Sequence, residues 1–128
     1  MNEVLLDASA MLARLQHERG AENLTVEIRQ NAVVSAVNLA EVQTRPVKRG
    51  GDPEESWEDA LSAADSVEPY IPEHARIAGD LITTTVNYGL SLGDRSCLAL
   101  AIALKAPVYT TEQAWKNLKV GVPIHVIR

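Results

Sequence analysis

The sequence contains no Phe, two Trp, three Tyr and a single cysteine, Cys97. With aromatic residues at 4%, the core has to be filled by Leu, Val, Ile and Ala, which suits a sheet covered by helices. One cysteine excludes an internal disulfide, so the chain reads as reduced and intracellular, with the cytoplasm as its expected location. The first twelve residues carry acid and no Lys or Arg, and no secretory leader is visible there. The longest apolar run, around Leu98 to Leu104, falls far short of the ~20 residues that span a bilayer. There is no GxGxxG, no Walker A pattern and no HExxH, which removes support for dinucleotide, nucleoside-triphosphate and zinc-protease chemistry. His17, His74 and His125 stand at no metal-ligand spacing and are expected at the surface or at strand ends. A basic balance is also missing: the formal net charge is −5. A simple phosphate-binding module carries a basic footprint. If nucleic acid is the ligand, a metal and a local basic rim must overcome the global charge.

What is present fits one domain, residues 1–128. The length of 128 residues with 46% hydrophobic residues suffices for a single core. Val4-Leu5-Leu6 reads as a buried strand turning at Asp7-Ala8-Ser9 into a helix with Met11, Leu12 and Leu15 inside, in a region that Gly20 closes. A helix is predicted over Leu24 to Arg29, a buried strand over Ala32 to Ser35, and a helix from Ala36 to about Thr44, broken by Pro46 and Gly50-Gly51. Asp52-Pro53-Glu54-Glu55 opens a helix by capping, proline placement and first-turn acids. A strand interrupted by Pro69 is expected within Ser66 to Ile71. Pro72 opens a helix to about Val86, and Gly93-Asp94 opens an almost wholly apolar helix to Lys105. Pro107-Val108-Tyr109 reads as a strand, Glu112 to Leu118 as a short helix and Ile124 to Ile127 as the last strand. This alternation implies an α/β fold, a mostly parallel sheet with helices on both faces.

Four acids recur in related settings. Asp7 and Glu112 lie at or just past the carboxyl ends of expected strands, where open parallel sheets bind ligands. Glu41 lies in the otherwise apolar Ala36–Val42 segment, sharing a helix face with Asn38 at i,i+3. Asp94 opens the apolar helix. Each has an ordinary role open to it: Asp7 and Asp94 as caps, Glu41 as a solvated helix residue, Glu112 as a first-turn acid on a helix dipole. Carboxylates that converge raise one another's pKa, and a hard divalent cation with oxygen ligands relieves the repulsion. A receiver-type signalling domain would need an acid pair, a central Asp and a late Lys that cannot be placed here. A haloacid-dehalogenase-like phosphatase would want Asp where Ser9 stands.

Leu6-Asp7-Ala8-Ser9, Asn38-Leu39-Ala40-Glu41-Val42, Leu92-Gly93-Asp94-Arg95-Ser96-Cys97-Leu98-Ala99-Leu100-Ala101 and Thr110-Thr111-Glu112-Gln113-Ala114-Trp115 together resemble the ordered motifs of PIN-domain ribonucleases, and most closely the VapC toxins of bacterial toxin–antitoxin pairs. The third motif is the most specific, and the likeness spans nearly the whole chain. It implies a PIN-like three-layer sandwich with about five strands and a metal-dependent endoribonuclease using Mg²⁺ or Mn²⁺. Asp7, Glu41, Asp94 and Glu112 are then the expected catalytic acids, with Asp7, Asp94 and Glu112 as metal ligands. Ser9 and Thr110 supply supporting hydroxyls, while Asn38 and Arg95 flank the site within reach of a substrate phosphate. Glu112 departs from the family pattern, which usually has Asp there. The resemblance further implies an RNA substrate, a VapB-like antitoxin that neutralises the chain, a homodimer, and contact with DNA only through the antitoxin. The alternative is a degenerate PIN domain that serves as an antitoxin-binding module.

Overall fold

In the computed structural model, which describes residues 2–128, the first apolar run forms strand β1, Val4–Leu6, at the centre of a five-stranded sheet. The other strands are β2 (Ala32–Ser35), β3 (Ser66–Glu68), β4 (Val108–Thr110) and β5 (Ile124–Val126), in the spatial order β3-β2-β1-β4-β5. Every ladder is parallel. Successive side chains point to opposite faces, so each central strand feeds two cores. Val4, Leu6, Ala32 and Val34 pack with Met11, Leu12, Leu39 and Val42 on one face. Leu5, Val33 and Val108 pack with Leu98, Leu100 and Trp115 on the other. This is the helix–sheet–helix sandwich expected from the alternation.

The helices are α1 (Ala8–Leu15), α2 (Val26–Gln30), α3 (Ala36–Lys48), α4 (Pro53–Ser62), α5 (Pro72–Asp80), α6 (Ile82–Thr85) and α7 (Leu92–Leu104). Asp52 caps α4 by accepting from Glu55 N, with Pro53 at the first position. β3 stops at Glu68, before Pro69. The segment 113–117 forms a 3₁₀ turn where a short helix is expected.

Two expected boundaries are corrected. Pro46 does not break α3, which runs through it to Lys48. Proline forfeits only its own N–H bond and crowds the carbonyl one turn back. The turn beyond it is closed by Arg49 and Gly51 donating to Pro46 O, and the chain leaves the helix only at Gly50, whose φ of +92° suits glycine. The single helix expected from Pro72 to Val86 divides after Asp80. Thr83 donates to Asp80 O, and Thr84 and Thr85 both donate to Leu81 O. Such back-bonding by a β-branched run competes with the regular ladder and bends it. His74, expected at the surface, is buried on α5 beside Tyr70.

From β1 the chain steps outward to β2 and β3, then returns across the sheet to β4 on the other side of β1. The carboxyl ends of β1 and β4 therefore flank the switch in strand order, the place where such sheets leave a crevice. Among the described residues no helix is long and apolar enough to cross a membrane.

Candidate metal centre

Asp7 follows β1 directly and caps α1. Its Oδ1 accepts from Ser9 Oγ at 2.7 Å and from Ala10 N at 2.8 Å, and its Oδ2 accepts from Thr110 Oγ1 at 2.6 Å. The cap is real, but a cap alone is normally solvated. Asp7 is 3% exposed and has no cationic partner among the described residues. Burial pushes its pKa from the ordinary 3.8 up to about 6, against the lowering effect of the Thr110, Ser9 and Ala10 hydrogen bonds, and the charge of Asp94 pushes the same way.

The end of β4 is bound into the same net. Thr111 N donates to Ser9 Oγ at 3.0 Å, and Glu112 N donates to Thr110 Oγ1 at 3.1 Å. Ser9 and Thr110 thus both donate to Asp7. The backbone at Glu112 is fixed through Thr110.

Asp94 lies in the first turn of α7, in a capping box. Ser91 Oγ accepts from Asp94 N at 3.1 Å, and Asp94 Oδ2 accepts from Ser91 N at 2.9 Å. One carboxylate oxygen is occupied by the cap and Oδ1 is left over. Asn38, 1% exposed, donates through Nδ2 to Glu41 Oε1 at 2.7 Å and to Gly93 O at 3.0 Å. It therefore ties α3 to the start of α7 and aims Glu41, rather than meeting a phosphate itself. Its Oδ1 is buried with no partner.

The charges of Asp7, Asp94 and Glu41 all reach the buried Cys97. Cys97, on the first turns of α7, has its thiol pKa raised by burial first and then by the charges of Asp7, Asp94 and Glu41. The thiol is a core residue, as expected, and no nucleophile. Glu112 is exposed. It lines a depression of about 230 Å³ with Ser9, Thr111, Arg45, Arg49 and Arg128. With the side chains as they lie, no three His, Cys, Asp or Glu groups among the described residues close into a metal-binding cluster. The Asp94 cap and the Asn38–Glu41 bond hold two of the acids to protein donors instead.

Arg95 is turned toward α5. Its guanidinium donates to Ala78 O on α5 at 2.8 Å. One residue along a helix is a rotation of about 100°, so Arg95 cannot share the direction of Asp94; it fastens α7 to α5. Two features escaped the sequence reading. Gly93 leaves room for the Glu41 carboxylate, which a Cβ there would displace; the signal was a glycine inside the first turn of a helix, where it costs stability. Arg45, Lys48 and Arg49 line the groove beside Glu41, and their signal was helical spacing from that acid. Volume does not mark this site: a larger depression, about 590 Å³ beside Arg14, His17 and Glu22, contains none of the expected site residues.

The donor set fits a hard divalent cation. It is all oxygen, it is anionic, and it contains a buried carboxylate whose charge no group among the described residues neutralises.

Comparison with known proteins agrees with this fold. The family model described as PIN domain matches residues 4–120. Among solved structures the chain is similar to VapBC2 from Rickettsia felis bound to a promoter DNA fragment, at TM-score 0.73 and 18% identity over 95% of this chain and 96% of that one. It is also similar to a toxin–antitoxin complex from Klebsiella pneumoniae, at 0.75 and 17% over 98% of each chain, and to DNA-bound VapBC from Salmonella typhimurium, at 0.75 and 16% over 98% of each. No curated protein matches it. The match running from β1 past the 3₁₀ turn after β4 takes in Asp7, Glu41, Asp94 and Glu112 alike, and the chain belongs to the PIN domain family.

Proposed function

We propose that this chain is a VapC-type toxin, a metal-dependent endoribonuclease that hydrolyses RNA phosphodiesters. The observation that carries the reading is Asp7: a carboxylate held by three donors at a strand end, buried, without a cationic partner, and beside Asp94. A fold does not retain such a group for stability, because burying an unpaired charge costs free energy. It becomes favourable when a cation is bound.

Asp7, Asp94 and Glu112 are the residues that would hold Mg²⁺ or Mn²⁺, with Glu41 completing the acidic set. When bound, such an ion activates water and neutralises charge developing on a phosphate. The chain's own part is orientation. Ser9, Ala10 N and Thr110 fix both oxygens of Asp7, and Asn38 fixes Glu41 against Gly93. Glu41 and Glu112 line neighbouring depressions, and either carboxylate would serve as the base that takes the proton of the attacking water.

The solved structures it resembles include toxin–antitoxin complexes. By that likeness, this chain pairs with a VapB-like antitoxin whose basic tail suits the acidic centre, forms a homodimer, acts in the cytoplasm and meets DNA only through the antitoxin. A second reading, a degenerate PIN domain that only binds its antitoxin, is favoured by one observation: the four acids do not close up as they lie.

The experiment is cleavage of total cellular RNA by antitoxin-free protein, with Mg²⁺ or Mn²⁺ and with EDTA, beside Asp7→Asn. Discrete metal-dependent cuts that the variant loses are expected. Folded protein that binds the cation and makes no cuts would establish the degenerate reading.

A further inference from the structure

The acidic balance of the chain conceals a local concentration of the opposite charge. Arg45, Lys48 and Arg49, three of twelve Lys and Arg residues, fall together at the end of α3, and all are exposed. Counted from Glu41 they stand at i+4, i+7 and i+8, so one helical face leads from that carboxylate to three cations. None of them is in an ion pair among the described residues, where the pairs are Arg76–Asp80 and Arg128–Glu18. Glu41, one turn before Arg45, is bonded to Asn38 instead.

Cations in the last turn of a helix complement its dipole. That accounts for their sign but not for what they line. Two depressions share Arg45 and Arg49. One, about 550 Å³, follows α3 past Lys48, Thr44 and Glu41. The other, about 230 Å³, reaches Ser9, Glu112 and Arg128. The arginines therefore stand between the Glu41 side and the Glu112 side of the acidic centre.

We infer that Arg45, Lys48 and Arg49 form a phosphate track that grips the backbone of single-stranded RNA and leads it across the carboxylates. The inference rests on the ribonuclease reading for the identity of the polyanion. Clustered carboxylates repel a phosphodiester, so a chain of net charge −5 needs fixed cations next to the acids to hold one there. Cations on one helical face, with Cβ atoms ~5–6 Å apart at i,i+3 and i,i+4, suit a flexible strand whose phosphates adjust to them one by one. An acidic protein segment would also be attracted, but it would bring no phosphodiester to the acids at which the track ends.

The test is binding of a short fluorescein-labelled single-stranded RNA, read by anisotropy in EDTA over a range of salt. It uses an Asp94→Asn background, with and without Arg45→Gln, Lys48→Gln and Arg49→Gln combined. All three positions are exposed, and circular dichroism checks the fold. The triple variant should lose affinity tenfold or more at low salt, and its log–log salt slope should shrink by about 2, at ~0.7 per phosphate contact. Lys105→Gln, at the far end of α7 and ~16 Å along it from Asp94, should cost less than Arg49→Gln alone. An equal loss would mean that net charge alone is at work, and would overturn the track. So would unchanged RNA affinity and slope in the triple variant, or loss of poly-glutamate binding with RNA binding intact. Since binding is read in an inactive background, failure of the native chain to cleave refutes the ribonuclease reading alone, whereas unchanged RNA affinity in the triple variant refutes the track alone.

Discussion

Replacing Asp7 by Asn should stabilise the protein at neutral pH while abolishing its activity. The buried carboxyl has its pKa raised from 3.8 to about 6. At ~1.4 kcal/mol per pH unit, ionising it inside the fold costs about 3 kcal/mol relative to the unfolded chain. The sign follows from proton counting. Between about pH 4 and pH 6 the folded state binds more protons at Asp7 than the unfolded state does. Stability is therefore greatest below that window, falls as pH rises through it, and stays low above it. Asn is isosteric and carries no charge. Its Oδ1 can accept from Ser9 and Ala10 N, and its Nδ2 can donate to Thr110 Oγ1 once that hydroxyl turns toward Ser9, whose Oγ lies 3.3 Å away.

Urea unfolding in EDTA, for native protein and Asp7→Asn at about pH 4 and about pH 8, reads this directly. The stability difference between the two proteins should move in favour of the variant by up to about 3 kcal/mol from the lower pH to the higher. Comparing the difference at two pH values cancels any fixed change in hydrogen bonding. Adding Mg²⁺ at the higher pH should stabilise the native protein and leave the variant unmoved, because only the native site gains from a cation. A difference that stays constant with pH would refute the burial argument, and with it the claim that Asp7 is kept ionisable for a ligand.

Other substitutions separate position from stability. Gly93→Ala should leave urea stability unchanged or raise it by up to ~1 kcal/mol through helix propensity. Because the added methyl displaces the Glu41 carboxylate, cleavage should nevertheless fall roughly tenfold or more in a kinetic assay with defined RNA. Asp94→Asn keeps an acceptor for Ser91 N and should change stability by less than ~1 kcal/mol while removing most cleavage; full activity in contaminant-free variant would exclude Asp94 from the centre. Glu112→Asp, which restores the residue usual in the family, should keep or raise the rate under the same assay. Thr110→Val deletes the hydroxyl between Asp7 and Glu112 N and should cost about 1–3 kcal/mol in urea unfolding, a loss that Thr110→Ser should largely restore.

Legibility in the sequence followed the range of the interaction. Asp7 and Glu112 could be paired with strand ends because a short apolar run ending in polar residues is a local pattern, and the sheet then makes β1 and β4 neighbours; Ser9 and Thr110 were legible only through the family resemblance. Pro46 misled for the opposite reason. Its local rule is strong, yet the turn after it is closed by bonds to its own carbonyl and α3 packs along α4, so tertiary support outlasts one missing N–H. The break after Asp80 depended on threonine rotamers that hydrogen-bond backward, and composition does not report rotamers.

Arg95 and the basic end of α3 meet the same limit at the candidate site. The resemblance set Arg95 beside Asp94 within reach of phosphate, but neighbours on a helix point in different directions, and one guanidinium nitrogen of Arg95 donates to the Ala78 carbonyl. The residues that share a direction with an acid lie three, four, seven or eight positions away. From Glu41 that rule reaches Asn38 on one side and Arg45, Lys48 and Arg49 on the other. Asn38 indeed touches the carboxylate, and the three cations line the depression that the carboxylate opens onto. Helical spacing measured from the acids, rather than proximity within a motif, is therefore what ties the basic residues of this PIN domain to its acidic centre.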